Sequence, residues 1–213
     1  MNNKNSTTRP PTPTEPNALL AQSWDLIQSG VQQRSHNYHA VYMSYIADNT
    51  PRSATLVPRH LDRQHFTLNC HTDIRSGKIK HLRKNSQVCL LFWCREHKTQ
   101  LRLNGTVDIQ HDNTLTHAIW DSMRPMSRVC YAADIAPSTE TNISNSGFTT
   151  AQWENRQTLC NSSDAYQHFA VLKIHIEVLE RLDLHVNGHQ KIRFKKSASP
   201  DTQITWAHQW LAP

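Results

Sequence analysis

Three strand-like stretches, Tyr38 to Ala47, Ser53 to Leu61 and His65 to His71, follow one another closely, separated by the turn-forming residues Asp48-Asn49-Thr50-Pro51 and Asp62-Arg63-Gln64. Connections this short join neighbouring antiparallel strands, because a parallel return needs a crossover of roughly a dozen residues or more. Further alternating runs cover Gln87 to Cys94 and Thr99 to Ile109. Strands return at His168 to Leu179, Lys191 to Lys195 and Ile204 to Trp210, the last two as a hairpin.

Helical spacing is found between and before these strands. Leu19, Leu20, Trp24, Ile27 and Val31 recur at three- and four-residue steps, with Gly30 near the expected end. Shorter helices fit Arg75 to Lys84 and Asn113 to Met123, while residues 137–167 carry little periodicity. Strands in meander order with inserted helices argue for a mainly β fold, an antiparallel barrel or an α+β domain, and not a doubly wound sheet. The 5 glycines, at 30, 77, 105, 147 and 188, form no dinucleotide-binding, Walker A or nucleophile-elbow pattern.

The segment Met1 to Pro16 is rich in Pro, Thr and Asn and too poor in apolar residues to offset the entropy of ordering. It is expected to be a disordered tail, with residues 17–213 forming one domain. The apolar run Ala18 to Ala21 is too short for a signal peptide, and no stretch approaches a membrane span. A cytoplasmic protein without a membrane partner is expected. Cys70, Cys89, Cys94, Cys130 and Cys160 are odd in number and lack a Cys-x-x-Cys pair, which favours buried free thiols.

A net charge of +6 could serve several acidic partners, but the basic residues are scattered. Their densest group, Arg75 to Lys84, lacks the interleaved aromatics of a single-strand binder, so no nucleic-acid partner is expected. Among the histidine pairs, His36/His39 and His185/His189 are nearest, and Gly188 disrupts helical presentation of the second. No metal site is expected.

Chemistry concentrates in Thr72-Asp73-Ile74-Arg75-Ser76-Gly77-Lys78, between a strand and a helix. Backbone N–H groups at a helix start, the cations Arg75 and Lys78, the hydroxyls of Thr72 and Ser76, and the small Gly77 together suit a phosphate. A capped helix with solvated cations has the same pattern.

This segment, followed in order by Leu90-Leu91-Phe92-Trp93 and Gln100-Leu101-Arg102-Leu103-Asn104-Gly105, resembles the pyridoxamine 5'-phosphate oxidase family. The similarity runs from about Trp24 to the ending Leu211-Ala212-Pro213, with Pro137 to Gln167 poorly matched. It implies a split β-barrel with peripheral helices, a homodimer, and FMN held at the dimer interface. By resemblance, Thr72 and Ser76 hydrogen-bond the flavin phosphate region and Lys78 pairs with the phosphate. The strand ending at Arg59 runs along the isoalloxazine, and Gln100 and Arg193 contact the flavin.

The chain departs from the family at several positions. Ala54 stands where a phosphate-binding arginine is usual, and Arg52 lies two residues away on the same strand face. The family's tyrosine, arginine and serine for substrate phosphate appear as Trp120, Arg124 and Arg128. The C-terminal substrate arginine and histidine become His189 and Lys191, and a tryptophan expected near Leu182 is missing. The resemblance therefore implies an FMN-dependent oxidoreductase acting on a small anionic substrate. Arg124, Arg128 and Lys191 would bind that substrate, with His189 as candidate acid or base. A flavin or haem carrier without turnover is the alternative.

Overall fold

The computed structural model describes residues 15–159, 163–197 and 204–213. The expected disordered tail lies outside them up to residue 14, and Pro16 is already in the first turn of α1 (Pro16–Gln32). Leu19, Ser23, Trp24, Ile27 and Gly30 form the buried face of α1. A methyl group on Gly30 would stand 2.3 Å from the Tyr38 carbonyl oxygen, so only glycine lets the helix end meet the following turn this closely.

The strands are β1 (Val41–Ala47), β2 (Thr50–Leu56), β3 (Pro58–Asp62), β4 (Thr67–Asp73), β5 (Gln87–Cys94), β6 (Thr99–Gln110), β7 (Phe169–Asp183), β8 (Gln190–Ser197) and β9 (Thr205–Leu211). All pairings are antiparallel, in the order β2-β1-β5-β6-β7-β4-β3, with β8 on β7 and β9 on β8. The fork is at β7. Its first half pairs with β4 through residues 169–175, and its second half pairs with β8 through residues 178–183, while β6 runs along its other edge. One long strand thus belongs to two diverging arms, and the sheet curls into a split barrel. At the fork, Gly105 opposes a β-bulge, where an added Cβ would fall 1.9 Å from the His175 carbonyl oxygen.

Two of the changes in expected boundaries have a clear local cause. The strand expected at Tyr38 starts only at Val41, because Asn37–His39 is a 3-10 turn whose start is capped by the His36 imidazole accepting from the Tyr38 N–H. The strand expected over Ser53 to Leu61 divides into β2 and β3 at Pro58, which has no N–H to give the ladder.

The barrel is filled by Val41, Met43, Leu68, Leu90, Phe92, Leu101, Leu103, Ile174 and Phe194 among others, all at most 1% exposed. Strand β9 is tied to this core by Trp206, whose ring lies 5.0 Å from Phe66 and 5.8 Å from Trp24. A second cluster, Trp120, Tyr131, Ala165, Phe169 and Val171, packs α3 (Thr114–Ser122) and neighbouring turns on the start of β7. Helix α2 (Gly77–Lys84) connects β4 to β5 and buries Ile79 and Leu82. The segment of weak periodicity contains the short helices α4 (Thr150–Glu154), α5 (Arg156–Leu159) and α6 (Ser163–Tyr166).

Cys70 and Cys94 are buried free thiols and Cys89 is half-buried, but Cys130 is exposed, contrary to the expectation for it. Cys130 follows Val129 in a surface turn, and its apolar neighbours in sequence take the buried positions instead. Cys160 lies outside the described residues. No helix among the described residues is long and apolar enough to cross a membrane.

Candidate functional site

The phosphate cradle read from the sequence is part of a real concavity. Ser76, Gly77 and Lys78, at the start of α2, line a cavity of about 330 Å³ together with Arg52, Ser53 and Ala54 of β2, Tyr45 of β1, His81 of α2 and Ser138. Strand register explains the grouping. Tyr45 pairs with Arg52 and Met43 with Ala54, so Arg52 and Ala54 share the sheet face that meets α2. Arg52 thereby reaches the cavity in which Ala54 leaves room.

The lining is cationic and hydroxyl-rich, with no carboxylate among the described residues that form it. Lys78 Nζ donates to Ser76 Oγ at 2.6 Å. Burial lowers the Lys78 ammonium pKa below its ordinary value, and the nearby Asp73 carboxylate acts in the opposite direction. An anion in the cavity would favour the charged amine further. Beyond its own helix turn, a Cβ at Gly77 would meet no atom of the described residues within 4 Å, so tertiary packing among them does not require glycine there.

Other members of the sequence-derived set stand elsewhere. Thr72 is buried, and its hydroxyl makes only a long contact, 3.5 Å, to the Asp73 carbonyl oxygen. Arg75 is turned away from the cavity: Nη2 bonds to Asp73 Oδ2 at 2.7 Å, and Nη1 reaches the Asp134 carbonyl oxygen at 3.4 Å. Gln100 and Arg193 lie on the sheet face opposite the core. There Arg193 Nε donates to Glu180 Oε1 at 2.7 Å, and Arg102 pairs with the other oxygen of the same carboxylate.

A second cavity, of about 490 Å³, gathers Arg59 and Arg124 with Arg34, His39, His71 and Tyr131, and again has no carboxylate among the described residues that line it. His71 packs edge-on against Phe169, with centroids 5.0 Å apart. Burial first, and then the Arg59 charge, push its pKa down to about 4, which leaves it neutral among arginines at physiological pH. His39 is oriented by a 2.9 Å contact between Nδ1 and the Gly30 carbonyl oxygen.

Arg128 does not join Arg124 there. Its Nη2 donates to the Asp121 carbonyl oxygen at 2.9 Å, and its guanidinium lies 5.3 Å from the Trp120 ring centroid, a cation–π contact. His189 and Lys191 line a separate surface cavity with Trp210 and Leu211. Within one chain they do not meet Arg124.

Sequence reasoning missed Arg34, His39, His71, His81 and Ser138. Only His71 had a legible signal: on β4 it alternates with the core residues Leu68, Cys70 and Thr72 and so faces away from the barrel interior. A third cavity, of about 440 Å³, lies beneath α1, lined by Asp25, His97, Arg181, Asp183 and His185 among others. It contains none of the expected residues, and its polar groups are engaged structurally, with Arg181 Nε on Asp183 Oδ2 at 2.7 Å and the Thr99 hydroxyl on Asp183 Oδ1 at 2.6 Å. Among the described residues, no group of three His, Cys, Asp or Glu side chains is placed to hold a metal ion.

Residues 21–111 match the family model described as pyridoxamine 5'-phosphate oxidase, FMN-binding domain. Among solved structures, a pyridoxamine 5'-phosphate oxidase-related, FMN-binding protein from Nostoc punctiforme PCC 73102 aligns over 91% of this chain and 96% of its own, with TM-score 0.68 and 16% identity. PhzG from Burkholderia lata 383, in complex with tetrahydrophenazine-1-carboxylic acid, aligns over 95% of both chains with TM-score 0.71 and 14% identity. At such identities the likeness establishes the split-barrel architecture alone. No curated protein sequence matches.

Proposed function

We propose, from the premise that this chain is a divergent member of the pyridoxamine 5'-phosphate oxidase-like FMN-binding split-barrel family, that it binds FMN and acts as an oxidoreductase on a small anionic substrate. The observation that carries this reading is the cationic, hydroxyl-bearing cavity where Arg52 of β2 meets Ser76, Gly77 and Lys78 at the start of α2. Its donors match a terminal phosphate: a guanidinium for paired hydrogen bonds, an ammonium for charge, hydroxyls, and a helix start. Lys78 and Arg52 would hold the FMN phosphate, and Ser76 would orient it. When bound, the isoalloxazine supplies two-electron hydride chemistry, and the chain supplies position and electrostatics.

The cavity around Arg34, Arg59 and Arg124 would take the substrate. Its cations attract an anion, and neutral His71 adds a hydrogen-bond acceptor among donors. Arg59 then serves the substrate end of the groove as well as the flavin edge.

A homodimer fits this assignment. Tyr42 and Trp93 are exposed on the outer sheet face, 52% and 39% respectively, and the buried Arg102 Nε on that face has no acceptor among the described residues. A second copy covering the face would bury those rings and bring Gln100 and Arg193 to the partner's flavin. The same arrangement would allow His189 and Lys191 to approach the partner's substrate cavity.

The alternative of a carrier without turnover draws support from Arg128, which is committed to Asp121 and Trp120. An absorption spectrum tests the cofactor: flavin bands in the purified protein, with FMN released on denaturation, are expected, and failure to take up added FMN defeats the proposal. Anaerobic addition of NADPH or pyridoxamine 5'-phosphate separates the two readings, since a carrier leaves the flavin bands unbleached.

A further inference from the structure

Arg63, Arg75 and Arg181 are each paired with a carboxylate, and Arg102 and Arg193 share Glu180. Among the described residues, no ion pair or side-chain hydrogen bond engages Arg34, Arg59 or Arg124, and these three line one cavity.

Separate elements bring them there, each held by its own local structure. Arg59 is the extra residue of a bulge in β3: Pro58 pairs with Cys70 and His60 with Asn69, which leaves Arg59 without a partner on β4 and re-aims its side chain. Its charge acts on Cys130 and Tyr131, so it stands on the side of the cavity formed by the Arg124–Tyr131 segment. Arg124 itself precedes the turn Pro125–Ser127, and its carbonyl oxygen accepts from the Ser127 N–H at 2.8 Å. Arg34 comes instead from the turn after α1, where the His36 N–H donates to the Gln33 carbonyl oxygen at 3.1 Å. That turn is anchored in the core by Tyr38, which is fully buried and whose hydroxyl donates to the Thr99 carbonyl oxygen at 3.1 Å.

Three guanidiniums exceed what one phosphate needs. A phosphate monoester carries at most about two negative charges, which Arg59 and Arg124 can match. The residue that stands where the family's clamp has a serine has left the site, since Arg128 is bound to the Asp121 carbonyl oxygen and lies over Trp120. A further cation has entered it from a different element. The same cavity is also lined by Val31, Met123 and Met126, an apolar wall for the body of a ligand.

We propose that Arg34 is a specificity-determining residue and that this cavity takes a small molecule with two acidic groups on an apolar body, one held by Arg59 and Arg124 and the other by Arg34. The proposal rests on the reading of this cavity as the substrate site. A ligand with a single acidic group leaves Arg34 unused.

The test is calorimetric titration of the full chain, supplemented with FMN, with phenyl phosphate and with benzene-1,3-dicarboxylate. Above neutral pH these probes carry similar charge, on one group and on two, so net attraction to the cations is controlled. Arg34→Gln should weaken the dicarboxylate about five- to tenfold and phenyl phosphate less than about twofold. Arg34→Lys, which keeps the charge without the planar fork, should recover part of the dicarboxylate affinity, and Arg124→Gln should weaken both probes. Equal weakening of the two probes by Arg34→Gln, or no weakening, overturns the proposal. A wild type that binds phenyl phosphate but not the dicarboxylate overturns it too, and leaves the reading of an anionic substrate standing. Binding of neither probe removes the substrate reading of the cavity and the proposal with it. Flavin absorbance of the same samples reports the FMN reading separately.

Discussion

Lys78 Nζ donates to Ser76 Oγ at 2.6 Å, so the first turn of α2 presents a cation and a hydroxyl as one unit toward Arg52 across the cavity. Lys78→Ala removes the cation and leaves the hydroxyl. The loss of one charge-assisted phosphate contact corresponds to about 1.5–3 kcal/mol, or roughly tenfold to more than a hundredfold in FMN affinity. Flavin titration of the folded variant measures it, and unchanged affinity removes Lys78 from the site.

Glu180 is 5% exposed and is held by Arg193 and Arg102. Burial alone would raise its pKa, but the hydrogen bonds and charges of the two arginines outweigh burial and hold it below the ordinary 4.5. The stabilisation is therefore complete above about pH 4.5 and is lost as pH falls through the depressed folded value. Glu180→Gln should flatten this acid limb of stability. Because both guanidiniums are half open to solvent, the loss at neutral pH should be about 1–3 kcal/mol, below that of a fully buried pair. Urea unfolding from pH 3 to 7 checks both.

His71 supplies a separate pH dependence at a higher window. Its folded pKa, about 4, lies below the ordinary 6.5 of a histidine, so between these values the unfolded chain binds the extra proton. Stability should fall as pH drops from about 6.5 toward 4, and His71→Phe should remove this component. NMR titration of the His71 ring gives the folded value directly. A midpoint near 6.5 would show the imidazole to be hydrated rather than enclosed.

The outer sheet face predicts the oligomeric state. Tyr42 and Trp93 stand on strands that are neighbours in the sheet, and Arg102 adds a buried Nε with no acceptor among the described residues. Sedimentation of the wild type at micromolar concentration should give a dimer, and Tyr42→Glu combined with Trp93→Glu should give a folded monomer with weakened flavin binding. A flavin-loaded wild-type monomer would contradict the dimer.

Substrate choice is the remaining expectation. With Trp120 and Arg128 in the positions of the family's tyrosine and serine, and Arg128 bound to the Asp121 carbonyl oxygen, the phosphate clamp is rebuilt. Oxidation of pyridoxamine 5'-phosphate should be slow or absent beside an ordinary family oxidase, because a site made for particular polar contacts discriminates against altered pairing. A comparable rate of pyridoxal 5'-phosphate formation would show that Arg124 and Arg59 suffice.

Local signals in the sequence determined the elements. Alternation and short turns gave β5 at its full extent, Gln87–Cys94, and the spacing of Leu19, Trp24 and Ile27 gave the buried face of α1, because these patterns act within one element. The cavity wall at Ser76 to Lys78 was legible for the same reason: its hydroxyl, glycine and cation are consecutive. What each cation does was decided by tertiary structure. Arg75 and Lys78 are three residues apart and read alike, yet Arg75 is drawn to Asp73 and the Asp134 carbonyl, while Lys78 faces the cavity. Arg124 and Arg128 likewise part company, one at the second cavity and the other over Trp120. A guanidinium goes to whichever carboxylate, carbonyl or ring the fold brings within a few ångströms. Those partners lie up to 59 residues away, a distance that only the folded chain closes.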